Sequence, residues 1–540
     1  MKNRRFLYAP AVLLLLAFAC SKIPQDVRTA SKIDPTLATI TEIQKLFASG
    51  ELTSARLVRK CLDRIAEYDK KGPAINAMVT INPQALDISE ALDKERVEKG
   101  PRSPLHGIPV ILKDNYDTYD LPTTGGSAIL ANSQPIDDAF VVKRLREAGA
   151  VIIGKANMSE FALSYGWLGY SSAVGQTRNP HNPLRDPSGS SSGSATAIAA
   201  GYATLSTGTD TAGSIRGPAA VCGVVGIKPT MGLLSRDGII PASLSLDVAG
   251  PIARSVSGAA IMLDIMAGAD PNDPATQASK GRAFDFQAAL KTYALHEARI
   301  GVATTFLGAN ADVDSVFTAS LEVLKKEGAE LIEIELPEQL VSLWPVMGPV
   351  VDGDFGPQME AYLASLPEGA PRTVADMIAL AESEVIAGSA TPLNPARIQG
   401  FRDVEASGGY QSVERRRSLE ELIPAIRKTL LSILDEQKLD ALVFPTMSCP
   451  ASPRHDVEDN SYICNSDDPY RPCYMASTTG FPEITVPAGF TADKLPVGLS
   501  FLGHPFSDER LIGFAFDFEQ ATLARRVPAY TPKLGDDENE

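Results

Sequence analysis

Basic charge is what this chain is short of. Its 50 Lys and Arg face 66 Asp and Glu, a formal net charge of −16 at pH 7. A nucleic-acid surface needs clustered lysine and arginine against the phosphates. No basic run longer than three residues follows the first few residues, so that class of partner is excluded. Histidine is scarce too. The five histidines are scattered, with no H-E-x-x-H, and the cysteines form no C-x-x-C. Neither common metal-ligand spacing is present, and no metal or cofactor is expected. There is no internal repeat, and no apolar run spans a bilayer. What remains is ordinary globular material: 44% apolar and 21% charged residues over a chain of 540, long enough for a large core.

The first 20 residues read as an export segment. Lys2, Arg4 and Arg5 precede an apolar stretch from Ala9 to Ala19, broken only by Pro10. It is too short to cross a bilayer and has the layout of a signal peptide. Ala19-Cys20-Ser21 then places a small residue before a cysteine, as at bacterial lipoprotein processing sites. The leucine usual three residues earlier is here Ala17, with Leu16 one step away. Cys20 is the expected lipidation site, and a lipid there is the only membrane attachment expected. Serine at position 21 points to the outer membrane of a Gram-negative cell. Residues 21–35 read as a tether, 36–530 as one large domain, and 531–540 as an acidic tail.

Five cysteines remain after Cys20. Cys61 shares an apolar helix face with Leu57 and Ile65, and Cys222 lies in a run of small apolar residues. Both read as core thiols. Cys449, Cys464 and Cys473 cluster in one polar, proline-rich stretch. An exported protein permits a disulfide there. Cys464–Cys473 is the pair expected, although spacing alone leaves the pairing open.

Along the chain, strand and helix patterns alternate. Thr41 reads as the cap of a helix carrying Ile43, Leu46 and Phe47, with Gly50 at its end. Leu57, Cys61, Leu62 and Ile65 give the next helix its apolar face. Pro109–Leu112 reads as a buried strand. Val141, Val142 and Leu145 mark a helix ending at Gly149, before strand Val151–Ile153. Ser194–Tyr202 reads as a small-residue helix, followed by strand Ala203–Ser206. Strand Arg299–Ala303 precedes a helix through Val313, Phe317 and Leu324, stopped by Gly328. Ile332, Ile334 and Leu336 then alternate with glutamates. Such alternation implies a layered α/β fold around a mixed sheet.

The chemistry concentrates in three short segments. Lys113 ends the apolar run Gly107-Ile108-Pro109-Val110-Ile111-Leu112-Lys113-Asp114. Ser190 lies in Pro187-Ser188-Gly189-Ser190-Ser191-Ser192-Gly193-Ser194. Ser214 lies in Gly208-Thr209-Asp210-Thr211-Ala212-Gly213-Ser214-Ile215-Arg216. A serine hydroxyl is a weak nucleophile until a base takes its proton, and a lysine serves as that base only where burial keeps it neutral. The Gly-Ser cluster is too short for a linker and runs straight into a helix-forming stretch. No Gly-Lys-Ser/Thr follows to make it a phosphate loop. It does fit G-x-S-x-G, which would make Ser191 the nucleophile of an α/β-hydrolase esterase. That elbow should follow a strand, whereas Asn179-Pro-His-Asn-Pro-Leu-Arg-Asp-Pro187 cannot be a central one.

Together the three segments resemble the amidase signature family of Ser-Ser-Lys hydrolases. Ser190 and Ser214 stand 24 residues apart, the family's usual spacing. The resemblance runs from about Thr41 to Val302 and resumes from about Leu439 to Thr522. The second block holds Gly480-Phe-Pro-Glu-Ile-Thr-Val-Pro487 and Leu495-Pro-Val-Gly-Leu499. The middle, about 304–438, resembles it least. The family implies one large α/β/α domain. It implies Lys113 as base, Ser190 as relay with a cis peptide bond before it, and Ser214 as nucleophile. It also implies an oxyanion hole from the N–H groups of Thr211, Ala212, Gly213 and Ser214. Family members often have glycine where this chain has Ala212. Ser191, Asp210 and Arg216 are supporting residues, the last two also reading as a local ion pair.

The resemblance implies hydrolysis of a carboxamide through a serine acyl-enzyme. Gly189–Ser194 and Ser235-Arg-Asp-Gly-Ile-Ile-Pro241 are most like bacterial peptide amidases, which act on C-terminal amides. The pocket is expected from the weakly matching middle. Two rivals share the scaffold: the glutaminase subunit of a tRNA-dependent amidotransferase, which the export segment opposes, and a non-enzymatic lipoprotein, which intact Lys113, Ser190 and Ser214 oppose.

Overall fold

The computed structural model describes residues 33–535. Cys20, the export segment, most of the tether and the end of the acidic tail lie outside them. Eleven strands build the main sheet and two more form a hairpin. In chain order they are β1 (Met78–Ile81), β2 (Pro109–Lys113), β3 (Val151–Ala156), β4 (Tyr170–Ser171), β5 (Gly175–Gln176), β6 (Leu205–Asp210) and β7 (Val225–Lys228). Then come β8 (Val248–Ala253), β9 (Arg299–Ala303), β10 (Glu330–Ile334), β11 (Ala441–Pro445), β12 (Glu483–Phe490) and β13 (Pro496–Leu502). The sheet order is β1-β3-β2-β6-β8-β7-β12-β13-β11-β9-β10, with β4 and β5 apart. β3, β2 and β6 run parallel, as do β11, β9 and β10, and the remaining neighbours are antiparallel. This is the mixed-sheet α/β domain expected.

Several central strands are buried along their whole length. Burial on both faces is why they read as largely apolar runs. β6 breaks that rule. It was expected at Ala203–Ser206 but occupies Leu205–Asp210, every residue buried. Thr-Gly-Thr-Asp looks like a turn, yet its place between β2 and β8 makes it a strand. The preceding helix also shifts, to Ser192–Ala199, because Gly201 at φ 75° turns the chain before Tyr202. The first helix, Ile40–Ser49, is capped by Thr39 rather than Thr41. Glu42 and Thr39 close a reciprocal capping box that Thr41 has no partner for.

The cysteines correct one expectation. The disulfide joins Cys449 to Cys464, and Cys464–Cys473 does not form. Cys473 lies in the helix Arg471–Thr479, where packing commits it to the core as a buried free thiol. Its Sγ is 3.3 Å from the Thr446 carbonyl. Cys61 and Cys222 are also buried and free.

The middle of the chain is mainly helical, with Ala311–Lys326, Trp344–Ser365, Pro395–Ala406 and Ile423–Glu436 as its longer helices. It packs on the sheet domain through polar anchors. Tyr362 donates to Asp117 at 2.8 Å, and Ser243 donates to Asp354 at 2.7 Å. Because β2 and β6 are parallel neighbours, their carboxyl ends open on the same side of the sheet. In open α/β sheets that is where ligands bind.

Candidate active site

Lys113 is the last residue of β2 and is fully buried. Its Nζ lies 2.8 Å from Ser190 Oγ and 2.7 Å from Thr209 Oγ1 on β6. Burial lowers its pKa to about 7, against the pull of the Asp210 and Asp247 charges toward the ammonium. At neutral pH a large share of this lysine is therefore uncharged and able to accept a proton.

Ser190 sits just before the helix Ser192–Ala199 and is 3% exposed. Its carbonyl accepts from Ser159 N–H at 3.1 Å, and the Gly189–Ser190 peptide is cis. Ser191, the next residue, is wholly buried. Its hydroxyl is engaged with the β6 backbone, donating to Thr209 O at 3.2 Å and accepting from Thr209 N–H at 3.3 Å. No histidine ring is hydrogen-bonded to it. His455 meets Gln176 and His504 meets Asp435. The esterase reading of Ser191 has neither an accessible nucleophile nor a base.

Ser214 is 8% exposed and lies in the loop between β6 and the helix Arg216–Cys222. Its carbonyl accepts from Ser191 N–H at 3.1 Å, which ties the two serine segments together. Asp210 organises this loop. Its carboxylate accepts from Gly213 N–H at 2.8 Å and Ile215 N–H at 3.0 Å. It also takes Arg216 Nε at 2.9 Å and Nη2 at 2.8 Å. Burial works to raise the Asp210 pKa, but the Arg216 charge and these bonds hold it well below the carboxylate range. Arg216 continues to Glu483 at 2.5 Å and Ser477 Oγ at 2.7 Å, all within the core.

The Gly213 N–H therefore turns inward to Asp210, and of the four donors expected at the oxyanion hole the N–H groups of Thr211, Ala212 and Ser214 remain the candidates. The carboxylate does not take those three. The loop's positive φ, 96°, falls on Gly213, and Ala212 is not among the residues with positive φ. Alanine thus fits where the resemblance suggests glycine, because Gly213 supplies the turn. Thr211 Oγ1 donates to Asp247 at 2.5 Å, whose other oxygen accepts from Ala242 and Ser243 N–H.

Sequence reasoning missed Thr209, Asp247 and Tyr470. Thr209 lies inside a motif already singled out and could have been found there. Nothing local marks the other two. Among the described residues, no group of three or more His, Cys, Asp or Glu is placed to hold a metal ion.

The Amidase family model matches residues 56–512. A protein of Arabidopsis thaliana named as a probable amidase is 36% identical, covering 94% of both chains. A glutamyl-tRNA(Gln) amidotransferase subunit of Halorhodospira halophila is 34% identical over 90% of this chain and 97% of its own. The crystal structure of peptide amidase from Stenotrophomonas maltophilia superposes with a TM-score of 0.82 at 37% identity. That match covers 91% of this chain and 98% of the other.

Proposed function

The chain belongs to the Amidase family and is a hydrolase of amides, and on that premise we propose that it releases ammonia from C-terminally amidated peptides through a Lys113–Ser190–Ser214 relay. The observation that carries the relay is the buried contact of 2.8 Å between Lys113 Nζ and Ser190 Oγ. Neutral Lys113 draws the Ser190 proton, and Ser190 draws that of Ser214. Ser214 Oγ then attacks the amide carbon. Backbone N–H groups of Thr211, Ala212 and Ser214 receive the negative charge on the carbonyl oxygen, an arrangement often worth more than any other single contribution. As the C–N bond breaks, Ser190 gives its proton to the leaving nitrogen and Lys113 replaces it. Water hydrolyses the acyl-enzyme by the same route.

The likeness to peptide amidase supports the substrate class. The helical middle supports it as well. Leu343 and Met347 belong to a buried apolar cluster against which Ala212 and Leu163 pack, so apolar side chains of the helical middle lie against the loop that carries the reacting serine. We also place the protein outside the cytoplasm, held by a lipid on Cys20, a reading that rests on the sequence alone.

The test is ammonia release from an amidated dipeptide by the purified single chain. Ser214→Ala should abolish turnover with the fold intact, since little cavity results, and Ser191→Ala should retain activity. Full activity in Ser214→Ala with loss in Ser191→Ala would sink the relay. Ammonia from glutamine alone, and only with added partner subunits, would favour the amidotransferase reading.

A further inference from the structure

Tyr470 stands at the start of the helix Arg471–Thr479, 281 residues beyond Gly189. Its phenol nevertheless reaches the segment that carries Ser190. The oxygen accepts from Gly189 N–H at 3.0 Å and lies 3.2 Å from Gly189 O, to which it can donate. Ser188 Oγ makes a third hydrogen bond to it. Burial raises the Tyr470 pKa far above the ordinary phenol value, so the hydroxyl stays protonated wherever Lys113 titrates.

The ring faces the other serine. A side chain at Gly213 would meet Tyr470 Cδ1 at 3.0 Å, and one at Gly217 would meet Cε1 at 2.8 Å. The ring therefore fills the space these glycines leave on either side of Ser214 and Arg216. One side chain thus spans the two loops whose separation sets the Ser190–Ser214 geometry. Its own position is fixed at the backbone, with Tyr470 N–H donating to Asp468 at 3.0 Å and Cys473 N–H donating to its carbonyl at 2.9 Å.

We propose that Tyr470 is a positioning residue for Ser190, its hydroxyl holding the Ser188–Gly189 backbone so that Ser190 Oγ is aimed at the leaving nitrogen. The proposal rests on the relay described above. It assigns the hydroxyl to the step in which the C–N bond breaks, the Ser190 proton passes to nitrogen, and Lys113 resupplies Ser190. An amine cannot leave without that proton. A nitrophenolate leaves without one.

The experiment compares an amidated dipeptide with the 4-nitrophenyl ester of the same acyl group, using wild type, Tyr470→Phe and Ser190→Ala. Phenylalanine keeps the ring between the glycines and removes only the hydroxyl. Tyr470→Phe should lower kcat/KM for the amide roughly 10- to 100-fold, within the range of a misplaced proton donor. The ester shares the Ser190-dependent attack by Ser214 and should fall too, but about 10-fold less because its leaving group needs no proton, and the fold should stay intact despite the lost hydrogen bonds. Equal losses on amide and ester, or an unchanged amide rate, would overturn the assignment of Tyr470 while Ser190→Ala remains inactive on the amide. Wild-type amide turnover by Ser190→Ala would instead overturn the relay itself, and the role of Tyr470 with it.

Discussion

At the scale of single residues, the chemistry depends on one lysine kept neutral by burial. Lys113 has no exposed surface, and its pKa falls to about 7 because desolvation penalises the ammonium. The charged groups that oppose this are Asp210 and Asp247. Below about pH 7 the lysine takes a proton and the relay has no base, so kcat/KM should fall on acidification and level off above it. Removing the Asp247 charge takes away one of the two influences favouring the ammonium. Asp247→Asn should therefore move the acidic limb to lower pH, which a kcat/KM profile on an amidated dipeptide reads directly. A limb that moves to higher pH, or survives unchanged in Lys113→Ala, would contradict the assignment of Lys113 as base.

At the scale of elements, the loop between β6 and the helix Arg216–Cys222 is held from within the protein. Arg216 bridges Asp210, Glu483 on β12 and Ser477 on the helix Arg471–Thr479. Both carboxylates are fully buried. Replacing a buried ion pair wholesale can be neutral, but deleting one partner leaves charge without compensation. Arg216→Met should cost about 3–5 kcal/mol of stability, seen as a lowered thermal midpoint, and should slow turnover as Asp210 loses its hold on the loop. A midpoint equal to wild type would show that the loop needs no such brace. The β6 strand that feeds this loop illustrates a general point. Thr207 and Thr209 are polar and buried because backbone pairing with β8 and hydrogen bonds to Lys113 satisfy them, and Asp210 because Arg216 and the loop N–H groups do.

For the whole molecule, the sheet order brings distant segments to one place, and the N-terminal segment would decide where the enzyme works. With Cys20 lipidated, the native protein should partition into detergent, and Cys20→Ala should move it to the soluble fraction with amidase activity unchanged. A native protein found entirely in the cytosol with Met1 retained would reject the anchor.

The local chemistry was legible along the chain: a lysine ending an apolar strand, serines in glycine-rich turns, and a strand–helix alternation that implied a layered α/β domain. Those signals are short-range, since a strand end, a capped helix or a tight turn is written in consecutive residues. Which distant groups meet was set by the folded chain. It paired Cys449 with Cys464 and packed Cys473 into the core. It turned the Gly213 N–H toward Asp210, made a strand of Thr207–Asp210, and laid Tyr470 across both serine loops. A tyrosine carries no mark of a partner hundreds of residues away. Sheet order and helix docking set that contact, and both arise from burial summed over the whole chain.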